Sequence, residues 1–407
     1  MDTITTDSAE WIAGLSVETL NSDTDTVFRR LRDTAPVTWI PALHGWAVTS
    51  WEHCRAIAMD AENFRGGTNA MEARLFGQPL MLGAEGDVHQ DLRTAVSEQL
   101  SPRSFKDRLE SHIRPLARDH VQQIIDRGSA ELMTDYFEPV SVLAVADSLG
   151  FSDLDSDTLR RWFHTLAAAT VNTPDETGGF ADPHGFDGAD GVRAEVRAYL
   201  EGVREREART PGAERAGKLF RNGMPEGELR EVEYVLPTVL LMFLGGLQEP
   251  GHACGVTFLG LMSRPEQAAR VIAEPRVLNK AVAEGIRWMS PLYGGASRTA
   301  AHDVTVGDQQ IAEGDHVWLI YGSANVDEAE FADSLSFDLD RDRHPHLAFG
   351  VGRHSCVGSA FAPQAARIAL EELFAAAPSI RLDPDMPPAP MGWMFRGAAE
   401  IHTRWDR

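Results

Sequence analysis

The sequence predicts a mainly α fold with a small β part. Three observations carry this: long stretches with apolar residues at helical spacing, few and short strand-like runs, and no internal repeat of solenoid length. Helical patterns cover residues 28–32, 104–127, 155–169, 191–207, 229–262, 277–288 and 358–376. Strand patterns at 37–40 and 46–49 flank the turn residues His44 and Gly45, which predicts a hairpin. Residues 304–306, 316–320 and 401–405 add short strands. The segment 173–191 is dense in Gly, Pro and Asp and reads as a long loop, either a plain surface connection or a mobile lid.

A chain of 407 residues could hold two or three domains, but no Pro/Gly/Ser linker divides it. One domain spanning 1–407 is therefore expected. A formal net charge of -23 argues against a broad nucleic-acid surface. The acidic, polar start does not read as a secretory signal. The longest apolar stretch, 234–247, is shorter than the ~20 residues a bilayer span needs and reads as a core helix. Neither nucleic acid nor membrane is an expected partner. Three cysteines cannot all pair, which suits a reducing cytoplasm. Cys54 and Cys254 read as buried, inert thiols.

Chemistry concentrates around Cys356. Gly350, Gly352 and Gly358 surround it and a helical pattern follows at once. Glycines let a backbone approach a bulky flat ligand. Unpaired N–H groups near a helix start favour thiolate over thiol, the form an iron ligand needs. Other readings carry less. A phosphate cradle lacks its Lys-Ser/Thr and a preceding strand. The His344, His346, His354 and Cys356 spacing matches no common zinc pattern. A cysteine nucleophile has no base that the sequence identifies.

The string Phe349-Gly350-Val-Gly352-Arg353-His354-Ser-Cys356-Val-Gly358, followed by Ala362, resembles the cysteine loop of the cytochrome P450 family. The resemblance implies the P450 fold, with haem b (iron protoporphyrin IX) between the central long helix and the cysteine-loop helix. Cys356 would be the iron ligand, with Phe349 and Gly350 at the cofactor. Glu284 and Arg287 resemble the family's Glu-x-x-Arg pair, and Arg341 would complete a structural cluster; Glu201 and Arg204 share that spacing, so position decides. His89, Arg93, Arg298 and His354 match residues that hold the haem propionates.

The stretch Leu241 to Gly251 resembles the family's central helix. Gly245 and Gly246 would let it lie close over the haem. Pro250 should open the helix by clashing with the Gly246 carbonyl. Most relatives place an acid and a threonine where this chain has Gln248 and Glu249. Glu249 is therefore expected to carry the proton relay and Gln248 to shape the groove. Peroxide-driven turnover is a side possibility.

The string Gln248-Glu249-Pro250-Gly251-His252 narrows the resemblance to bacterial aromatic O-demethylases acting on guaiacol-type lignin fragments. By that resemblance Phe76, Leu82, Leu241, Leu244, Leu292 and Phe395 form an apolar slot. Thr170, Gly295 and Ala296 are smaller than expected there, which favours syringol over guaiacol or a 4-alkylguaiacol. The implied reaction hydroxylates a methoxy methyl group with dioxygen and releases formaldehyde. No flavin or nicotinamide pattern is visible, so electrons come from a flavin/iron–sulfur reductase or a ferredoxin, with Arg353 a candidate docking cation. Hydroxylation of a terpenoid or similar metabolite, and a non-catalytic haem or small-molecule binding protein, stay open.

Overall fold

The computed structural model describes residues 6–170, 172, 179–342 and 344–407. Helices dominate, and the expected patterns settle into them with shifted ends. The 104–127 pattern becomes Pro102–Arg108, a wide π turn at Leu109–Ile113, and Arg114–Ile125. The 229–262 pattern becomes two helices, Val232–Gly246 and Glu249–Met262. The Glu249–Met262 helix packs against Leu278–Trp288 and Ala362–Ala376, forming the centre of the largest apolar cluster. A Cβ at Gly285 would lie 2.7 Å from the Thr257 Cα, so glycine permits this close helix crossing.

The expected 173–191 loop is shorter than its composition suggests. A helix starts at Asp187 and runs to Arg209, taking in Gly188 and Gly191. Asp187 and Asp190 in its first turn suit the positive end of the helix dipole. Asp190 also takes both guanidinium nitrogens of Arg74, at 2.8 and 2.7 Å. Residues 173–178, where a lid was considered, lie outside the described residues.

The main sheet runs in the order Val37–Ile40, Gly45–Val48, His316–Leu319, Ala296–Ala300, Phe64–Gly66. The first two strands form the expected antiparallel hairpin, from Val37 opposite Val48 to Ile40 opposite Gly45. Its turn is a Pro41–Leu43 3₁₀ turn closed by His44 in the left-handed region. The last pairing sets Gly66 opposite Arg298. The 304–306 strand pairs with Gln309–Ile311, and His402–Arg404 pairs with Ser129–Glu131 and Arg381–Leu382. Among the described residues, no helix is long and apolar enough to cross a membrane.

Candidate active site

The cysteine loop is a tight, internally bonded turn. The Cys356 N–H donates to the Phe349 carbonyl at 2.7 Å, and the Gly350 N–H to the Leu347 carbonyl at 2.8 Å. Gly350 and Gly352 sit at φ 62° and 76°, a region costly for other residues. The helix begins at Ala362 rather than 358, so its N-terminus does not meet Cys356 directly. A turn N–H does instead: Gly358 donates to the Cys356 sulfur at 3.3 Å. Burial raises the Cys356 thiol pKa, while the Gly358 N–H and Arg93 lower it and the Glu249 charge raises it. Yet Cys356 keeps substantial accessible surface. A side chain both desolvated and accessible faces an internal slot.

A cluster behind the loop fixes it. Arg287 donates to both oxygens of Glu284, at 2.8 and 2.7 Å, and to the carbonyls of Asn325 and Ser334, each at 2.9 Å. Arg341 donates to Glu284 at 3.0 Å and to the Ser336 carbonyl at 2.8 Å. Glu284 and Arg287 are buried, so their charges depend on these partners. Asn325 ties the cluster to the loop by accepting the Leu347 N–H at 2.6 Å. The sequence brings the expected Glu284, Arg287 and Arg341 together; Asn325's bridging role was not foreseen.

One edge of the slot is cationic. The His89 and His354 rings meet at a tilt of 58°, with centroids 4.6 Å apart. Arg93 donates to the Ser355 carbonyl at 2.6 Å. Arg298 is 4 % exposed, and its charge acts on both His354 and Tyr321. Burial lowers the pKa of His89, with Arg93 adding to the shift. Glu85, unnoticed in the sequence, is the carboxylate among them: its oxygens accept from Gly66 N–H at 2.6 Å, pair with His354 Nε2 at 3.0 Å, and accept from Arg353. His344 pairs with Glu330 instead, so the four residues weighed for zinc do not converge.

The opposite wall is the interrupted helix. Leu241, Gly245 and Glu249 lie four residues apart and keep accessible surface, while Leu240, Phe243, Leu244 and Leu247 are buried. A Cβ on Gly245 would meet no atom within 4 Å. The break falls at Leu247 and Gln248, and Pro250 sits in the first turn of the second helix, as its missing N–H allows. Ser141 bridges the gap: its hydroxyl donates to the Leu247 carbonyl at 2.5 Å and accepts the Gly251 N–H at 3.0 Å. Glu249 Oε1 and His252 Nδ1 lie 3.6 Å apart, both atoms buried and both without a hydrogen-bond partner among the described residues. Gln248 points elsewhere. Its amide approaches Glu138 at 3.4 Å, a buried carboxylate already held by Arg160 at 3.0 Å and His164 at 2.6 Å.

Comparison with known proteins agrees with this geometry. A family model described as "Cytochrome P450" matches residues 233–376, which include the broken helix, Glu284, Arg287 and the cysteine loop. The chain is 28% identical over 359 residues to the "Biotin biosynthesis cytochrome P450" of Bacillus subtilis (strain 168), covering 86% of each chain. It is 29% identical to the "Linalool 8-monooxygenase" of Pseudomonas putida, covering 85% of this chain and 87% of that one. The structure of P450BioI in complex with hexadec-9Z-enoic acid ligated Acyl Carrier Protein superposes with a TM-score of 0.83 at 25% identity. That match covers 96% of this chain and 99% of the other. The chain is thus similar to cytochromes P450 over most of its length and shares their fold.

The similarity to P450s implies haem b, and the residues fit it. A thiolate-ligated haem would call for a cysteine sulfur, apolar surroundings, and donors for its two carboxylates. This chain offers the accessible Cys356 sulfur, the open face of Gly245, and half-buried Leu241, Phe349 and Val357 from one apolar cluster. Arg93, Arg298, His89 and His354 gather at the cationic edge. The buried Tyr321 hydroxyl, without a protein partner, lies near Gly350.

The predicted pocket residues divide in two. The helix ending in Phe76 and the helix capped by Thr170 both pack on the helix bearing Leu241 and Leu244. Leu292 bridges Phe395 in an antiparallel pair, with Ala296 leading the strand of Arg298. Leu82 is half-buried against the main cluster. At Gly295 a Cβ would lie 2.6 Å from Leu292 Cδ1 and 3.3 Å from Met394 Cγ, so the predicted pocket residue Leu292 packs directly against it. Thr170 uses its hydroxyl on the Ala167 carbonyl at 2.7 Å, so it offers a ligand bulk rather than an anchor.

Proposed function

We propose that this P450 removes the O-methyl group of a small lignin-derived methoxyphenol, with syringol preferred and guaiacol or a 4-alkylguaiacol overlapping. The observation that carries the reading is the Gln248-Glu249-Pro250-Gly251-His252 break, which puts a carboxylate on the slot side where relatives place a threonine. The apolar set of Phe76, Leu82, Leu241, Leu244, Leu292 and Phe395, with Thr170 and Ala296 as the small positions, supports a flat aromatic ring.

In this reading Cys356 ligates the iron, and Gly358 N–H and Arg93 compensate its negative charge. His89, Arg93, Arg298 and His354 hold the propionate edge, with Phe349, Gly350 and Gly245 against the ring faces. Bound haem, with dioxygen and two electrons, supplies hydroxylation of the methyl carbon, and the hemiacetal formed collapses to a phenol and formaldehyde. Glu249 holds a proton at Oε1, which no protein group occupies. Gln248 acts at one remove, setting the break by reaching toward Glu138. Electrons arrive from a flavin/iron–sulfur reductase or a ferredoxin. Arg353 is already paired with Glu85, so it contributes little free charge to docking.

A second reading, hydroxylation of a terpenoid or another small hydrophobic metabolite, is favoured by the linalool monooxygenase among the relatives. A panel of guaiacol, syringol, 4-alkylguaiacols and linalool decides between them. Spectral binding shifts and one formaldehyde per methoxyphenol consumed, largest for syringol, are the expected results. Binding and turnover of linalool with no formaldehyde from any methoxyphenol would replace the first reading with the second.

A further inference from the structure

Glu85 stands in the N-cap position of the Gly86–Ser97 helix with extended backbone, yet makes no side-chain bond to that helix. Its Oε1 takes the Gly66 N–H and the His354 Nε2, and its Oε2 takes Arg353. These contacts join three segments. Gly66 lies opposite Arg298 in the sheet, Glu85 leads the helix of His89 and Arg93, and His354 is two residues from Cys356.

The charge is firmly held. Burial alone would raise the Glu85 pKa, but the Gly66 N–H, His354 and Arg353 bring it down to about 2. An ionised carboxylate only accepts, so His354 Nε2 carries the hydrogen and Nδ1 is the ring atom left for other partners. Glu85 thus takes the one N–H of the neutral His354 ring and fixes which nitrogen carries it.

We propose that Glu85 is a positioning residue for the cofactor: it orients His354 through Nε2, latches three segments over the propionate edge, and lowers the haem reduction potential with a fixed negative charge. A nearby anion disfavours electron addition, and partial burial keeps that effect from being fully screened. Arg353 offsets part of it, but with a side chain 45% exposed it is the more screened partner.

The test is a spectroelectrochemical titration of the haem-loaded full chain without substrate, so the outcome does not depend on which substrate the enzyme takes. Glu85→Gln should favour the reduced form by about tenfold, ~59 mV for one electron. Arg353→Gln should shift the equilibrium the other way and by less, while Glu85→Asp should stay near wild type. Haem transfer to apomyoglobin should be severalfold faster from Glu85→Gln. Opposite shifts from the two charge removals are the signature of a sensed charge; a purely structural latch would give none, or both of one sign, and would overturn the proposal. If Glu85→Gln takes up no haem, the sign of the Arg353→Gln shift decides, with an upward or absent shift counting against it.

Discussion

On the cysteine side of the slot, both oxygens of Glu284 and both terminal nitrogens of Arg287 have partners, and Arg341 and Asn325 extend the bonding to the loop. On the broken-helix side, Glu249 Oε1 and His252 Nδ1 face each other at 3.6 Å with no hydrogen-bond partner among the described residues. Each wall pairs a glutamate with a basic side chain three residues on, but the buried Glu284 and Arg287 spend their polar groups on the fold, while the partly exposed Glu249 and His252 do not. Saturated groups specify a shape; unsatisfied ones are where a ligand, water or proton is held. Ser141 marks the border, because it satisfies the backbone of the break while leaving its side chains alone.

The largest effect is expected from breaking the saturated wall. Arg287→Ala leaves Glu284 buried with half its partners, which costs about 3–5 kcal/mol. The denaturant midpoint should fall, and the reduced carbon-monoxide spectrum should lose its far red-shifted Soret band as the loop loosens. A variant with native stability and an intact band would mean that the cluster does not hold the thiolate.

Glu249→Gln probes the other wall and should show the reverse pattern. Its Oε1 makes no protein hydrogen bond, so the unfolding midpoint should stay within about 0.5 kcal/mol of wild type. Coupled turnover should fall by about 10²–10⁴, the usual weight of a positioned acid or base, with reducing equivalents diverted to peroxide. Full coupling with lost stability would erase the contrast between the walls.

How far the sequence foretold each wall follows from distance along the chain. Cys356 with its glycines, and Glu284 with Arg287, are local patterns, and so are the helices that carry them. The break at Pro250 is local too, because proline acts on the turn before it. Ser141 and Glu85 were invisible. Their partners lie 106 and 269 residues away, and no short spacing encodes a contact made by the fold. The 173–191 segment misled for another reason: Gly188 and Gly191 lower helix propensity, but the acidic first turn and the Arg74 pair outweigh them. At Gly295 the space beside the backbone is shared with the Leu292 and Met394 side chains, a contact that residue size alone does not encode.

The smallest effect lies at that position, and it separates reading a pocket by residue size from reading it by contact. By size, Gly295→Ala fills the slot directly. By contact, the new methyl group meets Leu292 Cδ1 and pushes that flexible side chain toward the ligand. Either way syringol should bind more weakly, by about 1–3 kcal/mol, with guaiacol affected less. The routes diverge in the double variant. If Leu292 transmits the effect, Leu292→Ala abolishes most of the cost of Gly295→Ala, and the two changes are non-additive in spectral binding titrations. Additive costs would place the methyl group itself against the substrate and return Gly295 to the pocket wall.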